Sequence, residues 1–396
     1  MTTSRKLIPL SVPEIRGNEW RYVKECLDTN WVSSVGPFVD RFERMMAEYL
    51  GAEHAVATVN GTAALHIALL LAGVEPGDEV LVPTLTFISP ANAVRYAGAV
   101  PVFVDVEPEH WQMDPGLVSE FLERECRWAD GALHNKATGR RIAAVLPVHL
   151  LGHPVDVDPV LEVVRKYGLH VVEDATESLG AMYKERPVGK LGDIACFSFN
   201  GNKIVTTGGG GMVVTDDDEL ASRAKYLTTQ AKDHPVEYVH NEIGYNYRLS
   251  NLLAAIGCAQ MEQVDGYVAA KRRIAASYDQ GFEDVPGISG MKEASWAFST
   301  YWMYTALVDE AEFDMDSRAL LAALEEAEIQ ARPLWQPMHL SRAHAGAQSV
   351  LSGVSERLYA QAISLPCSVG LSTADQERVL DTVRDLANGS GRGGRA

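Results

Sequence analysis

The chain has 396 residues, 46% of them hydrophobic, enough to bury a large core and to suggest two or three domains, or one large domain with an appendage. A formal charge of −18 disfavours broad binding to nucleic acid or anionic membranes, because the long-range field repels polyanions. There is no run of eighteen apolar residues, and MTTSRKLIPLSVPE lacks the apolar core of a secretory signal, so a cytoplasmic protein with no membrane partner is expected. Five cysteines with no CxxC and no Cys/His pairing at zinc spacing argue against a disulfide framework or a structural metal.

From about residue 50 to 220, short β-rich runs alternate with helical patterns: HAVATV, DEVLVP, PVFVDV, IAAVLPVHL, LHVVEDA, DIACFSF and GGMVVTD. Most are continuous apolar runs, the mark of strands buried on both faces of a largely parallel sheet. Residues 62–72 and 158–167 carry helical spacing, with Gly73 and Gly168 where helix ends favour glycine. The fold class is therefore α/β. After about residue 250 the pattern predicts a long helix through Tyr278, strands within WAFSTYWMYTALVDE, a helix over 317–326 and a last helix over 373–386. The expected division is an N-terminal segment and large domain over 1–250 and a smaller α+β domain over 251–388. The glycine-rich tail over 389–396 has the composition of a disordered segment.

Ligands of open α/β sheets collect beyond the carboxyl ends of the strands. Asn60-Gly61-Thr62-Ala63 joins the first strand to a helix, where backbone N–H groups can hold a phosphate. The plain alternative is an N-cap by Asn60 or Thr62. Glu173 and Asp174 end a strand whose other residues must be buried, so each carboxylate needs a partner. An ionised Asp174 on a cleft floor can bind a protonated ring nitrogen or a metal, or else simply cap a helix. Lys203 lies in a glycine-built turn between two buried strands, flanked by Ser198, Asn200 and Asn202, from which it can reach inward as a nucleophile toward aldehydes. Together, a phosphate-holding turn, a strand-end aspartate and a lysine about thirty residues later point to pyridoxal phosphate. His149 and His153 are spaced like metal ligands, but Gly152, Pro154 and the lack of a third ligand favour a structural or active-site-wall role over a metal. Phe87, at another strand end, can stack on a flat ring or pack in the core.

The segments WVSSVGP, NGTAALHIAL, VPTLTFI, LPVHLLGHP, VVEDATESLGA, GDIACFSFNGNK, TTGGGGMVVTDD, GYNYRLSNLLAAIG, RPLWQP and SLPCS, in this order, resemble the DegT family of pyridoxal-phosphate-dependent sugar aminotransferases. The resemblance implies the aspartate aminotransferase-like fold type I, with a seven-stranded, mostly parallel sheet in the large domain. It further implies that Lys203 bonds covalently to the cofactor and acts as the catalytic base, that Asp174 binds the pyridine nitrogen, and that Phe87 stacks on the ring. Gly61, Thr62, Ala63 and Ser198 would hold the phosphate, and Glu177 would lie near the cofactor hydroxyl. Asn246 would reach the phosphate of a neighbouring subunit, which calls for a homodimer with a shared active site. Pyridoxamine 5'-phosphate would be the cofactor's intermediate form.

Within the family, IPLSVPEIRGNEWRYVKECLDTNWVSSVG, LTTQAKD and HNEIGYNYRL are similar to enzymes that aminate C4 of nucleotide-linked 4-keto-6-deoxy sugars. The usual substrate there is a UDP-linked 2-acetamido-4-keto sugar, with L-glutamate as donor, and a GDP-linked sugar is the alternative the sequence leaves open. Trp31, Ser33, Ser34 and the His339 region of RPLWQPMHL are the candidates for the sugar-nucleotide site, and Trp31 can equally be a core residue. Competing readings are a dehydratase of the same family, which carries histidine in place of Lys203, and a non-catalytic homologue. A nicotinamide-dependent oxidoreductase is disfavoured by the missing GxGxxG.

Overall fold

All seven apolar runs form strands, and they share one sheet. They are β1 (His54–Thr58), β2 (Glu79–Pro83), β3 (Val100–Val104), β4 (Ile142–Val145), β5 (His170–Asp174), β6 (Ile194–Ser198) and β7 (Gly211–Thr215). In the second half of the chain lie β8 (Ile288–Gly290), β9 (Tyr304–Val308), β10 (Arg332–Pro333), β11 (Ser349–Val350) and β12 (Ala362–Leu365). The large sheet has the order β1-β7-β6-β5-β4-β2-β3-β11, so it contains eight strands rather than seven. From β6 to β11 every neighbouring pair is parallel, whereas β7 runs antiparallel to both β1 and β6. The computed structural model describes residues 6–389, so all of the tail expected to be disordered except Gly389 lies outside the described residues.

The added strand β11 has only two residues, and a buried carboxylate pins the chain just after it. Asp105, fully buried, accepts hydrogen bonds from the N–H of Val106 (2.9 Å), Ser352 (2.8 Å), Gly353 (2.9 Å) and Ser355 (3.1 Å), and from the hydroxyls of Ser352 (3.0 Å) and Ser355. Burial pushes this carboxyl up, and those donors outweigh it and hold it below its ordinary value.

Helices α1 (Glu19–Asp28) and α2 (Pro37–Leu50) precede the sheet, and α3 (Gly61–Leu71) follows β1. α3 is apolar around most of its circumference, as a helix covered on all sides must be, and it packs against β6 and β7. Its N-terminus is capped by Asn60, whose Oδ1 accepts the Ala63 N–H at 2.8 Å. The helix expected to run to Tyr278 is two helices, Asn251–Met261 and Val264–Phe282. They are separated where the Gln263 N–H turns back to the Gln260 carbonyl at 3.0 Å, a tightened last turn. A second sheet, of order β8-β9-β12-β10, is built from the later residues. Gly73 and Gly168 terminate their helices with φ of +71° and +61°. All five cysteines are buried and free. Among the described residues, no helix is long and apolar enough to cross a membrane.

Candidate active site

The parallel strands end on a cavity of about 330 Å³. Gly61 and Thr62 line it from the start of α3, Phe87 from the turn after β2, Asp174 and Glu177 from the end of β5, and Ser198 and Lys203 from the end of β6. Close backbone approach makes the arrangement possible. A Cβ on Gly61 would lie 2.8 Å from the Ser198 Cβ, and one on Gly211 would lie 2.4 Å from the Asn60 carbonyl oxygen. The glycines after Lys203 therefore bring β7 against the α3 N-terminus, and Gly61 brings that N-terminus against Ser198. No acceptor among the described residues faces the N–H groups of Gly61 and Thr62. They open into the cavity at the positive end of a helix, which suits an anion. The Ala63 N–H is different, because Asn60 already occupies it.

Among the described residues, Lys203 is the one cation buried in this space. Its Nζ stands 3.8 Å from Glu177 Oε1 and 3.9 Å from the centre of the Trp302 ring. Burial pulls the lysine below its ordinary pKa, against the pull of Glu177 and Asp174. Burial likewise pushes Glu177 up to about 7, although Lys203 opposes it and the Leu151 N–H donates to Oε2 at 2.8 Å. Asp174 is 2% exposed; burial raises it, while the Thr176 N–H on Oδ1 at 3.0 Å favours the ionised form. Two carboxylates and an amine thus share one desolvated site, in which burial favours the neutral, nucleophilic amine and the carboxylates oppose it.

Glu173, the neighbouring carboxylate, points the other way. It accepts the N–H groups of Gly189 (3.0 Å), Leu191 (2.7 Å) and Gly192 (2.7 Å) and lies 3.0 Å from His149 Nε2. The Val155 N–H donates to His149 Nδ1 at 3.0 Å, so the imidazole hydrogen sits on Nε2 and donates to Glu173. Burial pushes Glu173 up, but His149 and the backbone N–H groups outweigh it and hold it below its ordinary value. His153 accepts the Ala294 N–H on Nε2 at 3.0 Å and donates to the Pro154 carbonyl at 2.8 Å; burial drives its pKa down to about 4. The two histidines are structural pieces behind Asp174 and the loop that carries Leu151. Among the described residues, no three His, Cys, Asp or Glu are placed to hold a metal.

Other expected residues fall outside the cavity. Trp31 is 48% exposed, so it is not a core residue, and its carbonyl accepts from Asn251 Nδ2 at 2.8 Å. The Ser33 carbonyl accepts the Asn251 N–H at 2.6 Å, and neither Ser33 nor Ser34 lines the cavity. His339 lies outside the lining, with Nδ1 2.7 Å from the Thr84 hydroxyl and Nε2 3.0 Å from Glu356. Asn246 is exposed and does not face the cavity of its own chain. Phe87 is 51% exposed, which excludes core packing. The cavity is also lined by Trp302, Arg332 and Trp335; the last two lie in the segment RPLWQPMHL singled out in the sequence, whereas Trp302 carried no signal of its own. Trp335 lies parallel to Trp302 with centroids 6.4 Å apart and meets Phe87 edge-on at 6.5 Å.

Residues 13–384 match the DegT/DnrJ/EryC1/StrS aminotransferase family. The chain belongs to this family. GDP-perosamine synthase of Caulobacter vibrioides is 40% identical over 374 residues, 94% of this chain and 96% of that one. The dTDP-3-amino-3,4,6-trideoxy-alpha-D-glucose transaminase of Streptomyces venezuelae is 34% identical over 359 residues, 89% and 88% of the two chains. Among solved structures, DesV of S. venezuelae in complex with a ketimine intermediate superposes with a TM-score of 0.85 at 31% identity, covering 97% and 99%. The family member described here is a pyridoxal-phosphate-dependent sugar-nucleotide aminotransferase. The cavity fits that cofactor: open N–H groups at a helix N-terminus for the phosphate, a buried carboxylate for the ring nitrogen and an amine for the aldehyde.

Proposed function

We propose that the enzyme transfers the amino group of L-glutamate to C4 of a nucleotide-linked 4-keto-6-deoxy sugar, in the cytoplasm and as a homodimer. The observation that carries this reading is Lys203 Nζ, desolvated beside Glu177 and Asp174, in the cavity onto which the α3 N-terminus opens. When bound, pyridoxal phosphate supplies an aldehyde for the lysine and a ring that takes up electrons from the carbon losing its proton. The N–H groups of Gly61 and Thr62, with the Ser198 hydroxyl, would hold the phosphate. The Asp174 carboxylate would hold a proton on the ring nitrogen, and Phe87 would pack on the ring. Lys203 Nζ, as a free amine, would take the proton from the donor's α-carbon and hand it on, and with the sugar would move a proton the opposite way. Glu177 steadies the ammonium that results, and Trp302 and Trp335 keep water from the reacting carbon.

The relative at 40% identity is named for a GDP-linked sugar, which supports a GDP-linked substrate ahead of the UDP-linked one expected from the sequence. The exposure of Asn246, outside its own cavity, supports its reaching the phosphate of a second copy. Two measurements test the reading. The purified protein mixed with pyridoxal phosphate should gain an absorbance band that is lost on adding L-glutamate and is absent in Lys203→Ala. Amination of GDP-, UDP- and dTDP-linked 4-keto-6-deoxy sugars should then favour the GDP form. A wild-type protein that takes up no cofactor sinks the reading, and turnover of none of the three sugars sinks its substrate half.

A further inference from the structure

Trp302 touches the lysine loop in two places. Its ring centre lies 3.9 Å from Lys203 Nζ, and its Nε1–H donates at 2.7 Å to the carbonyl of Asn202, the residue just before the lysine. The indole is itself fixed from two other sides. Buried Lys271 donates from Nζ to the Trp302 carbonyl at 2.8 Å, and Trp335 lies parallel to the ring within 8°. At 4% exposure Trp302 has shed its water, which strengthens the attraction of an indole face for a cation.

We propose that Trp302 is a positioning residue for the covalent lysine: its face receives the Lys203 ammonium whenever Nζ is not bonded to the cofactor. The proposal rests on the role of Lys203 given above. In each half of the transfer the lysine is released and then carries a proton. A carboxylate neighbour such as Glu177 attracts that ammonium but can also take its proton. An aromatic face attracts the charged form and cannot accept a proton, so it holds the base close to the reacting carbon without competing for what the base carries. The other charged groups on this cavity are Asp174 and Glu177 near the lysine and Arg332 on the same wall as Trp302.

The test uses the cofactor-free protein, so its result does not depend on turnover. Trace acetylation of Lys203 across neutral to alkaline pH, read on its peptide by mass spectrometry, gives the titration midpoint of this one lysine. Trp302→Phe keeps a smaller aromatic face and loses the Nε1–H, whereas Trp302→Leu loses both the face and the Nε1–H. The phenylalanine variant should titrate close to wild type, and the leucine variant lower by about 0.5 to 1.5 on the pH scale. Trp302→Met takes the place of leucine if that variant does not fold. A leucine or methionine midpoint equal to wild type overturns the proposal. So does a phenylalanine midpoint as low as leucine's, because the bond to Asn202 would then account for the whole effect. Failure of wild-type protein to bind pyridoxal phosphate is a separate result, and it bears on the aminotransferase reading instead.

Discussion

Gly211→Ala is the sharpest perturbation of the cofactor cradle, because the atoms it would strike cannot turn aside. A Cβ at this position would lie 2.4 Å from the Asn60 carbonyl oxygen, 2.5 Å from the Asn60 carbonyl carbon and 2.7 Å from the Gly61 nitrogen. All three belong to the backbone, and no rotamer change relieves the clash. Ordinary contact begins at 3.4 Å, so β7 or the α3 N-terminus must retreat by about 1 Å. Overpacking of this kind costs about 1–3 kcal/mol of stability. A positioning group displaced by about 1 Å costs on the order of 100-fold in rate. Urea unfolding and a spectral titration with pyridoxal phosphate measure the two effects separately. The expected result is cofactor affinity weakened by about tenfold or more, in a protein that still unfolds cooperatively. An alanine variant that binds the cofactor with wild-type affinity would refute the idea that this glycine sets the cradle.

Other substitutions test other parts of the site and its support. With Glu177 pushed up to about 7 from 4.5, the folded protein keeps a proton that the unfolded chain releases in between, so stability falls as pH rises through that window. Glu177→Gln should abolish that slope, worth up to about 3 kcal/mol, in denaturant unfolding measured at both ends of the window. Asp105→Ala strands several buried donors and should cost at least about 2 kcal/mol by the same method. In wild type, Asp105 is held below its ordinary value, so its stabilisation is complete at neutral pH and is lost as pH falls below about 4. Asn60→Ala removes the α3 cap and should cost about 1 kcal/mol; an unchanged unfolding midpoint would count against the cap.

The strands of the large sheet were legible because burial on both faces forces continuous apolar runs, and a strand end is a fixed address for a polar side chain. Asp174, Ser198 and Lys203 could be read together for that reason. β11 left no such mark: two residues carry no pattern, and their place is decided by Asp105, about 250 positions earlier. Trp302 was equally silent, since its arrival at the cavity depends on tertiary packing and not on local spacing, whereas Arg332 and Trp335 could be reached through the segment RPLWQPMHL. Trp31, Ser33 and Ser34 were candidates for the sugar-nucleotide site, but none lines the cavity, and Asn251 ties the carbonyls of Trp31 and Ser33 to the start of the helix Asn251–Met261. The break after Met261 was hidden because Glu262 and Gln263 are good helix formers and no glycine or proline marks the boundary.

The reversed direction of β7 has a mechanical consequence. The loop bearing Lys203 leaves the sheet from β6 and re-enters it in β7 at the same end, next to β1, whose own exit begins α3. The turn that carries Lys203 and the N-terminus of α3 are therefore welded to three adjacent strands, and nothing short of tearing the sheet can draw them apart. Trp302 is fastened to the same place, because its Nε1–H bonds the Asn202 carbonyl, so the chain entering β9 is held to the strand ends of the large sheet.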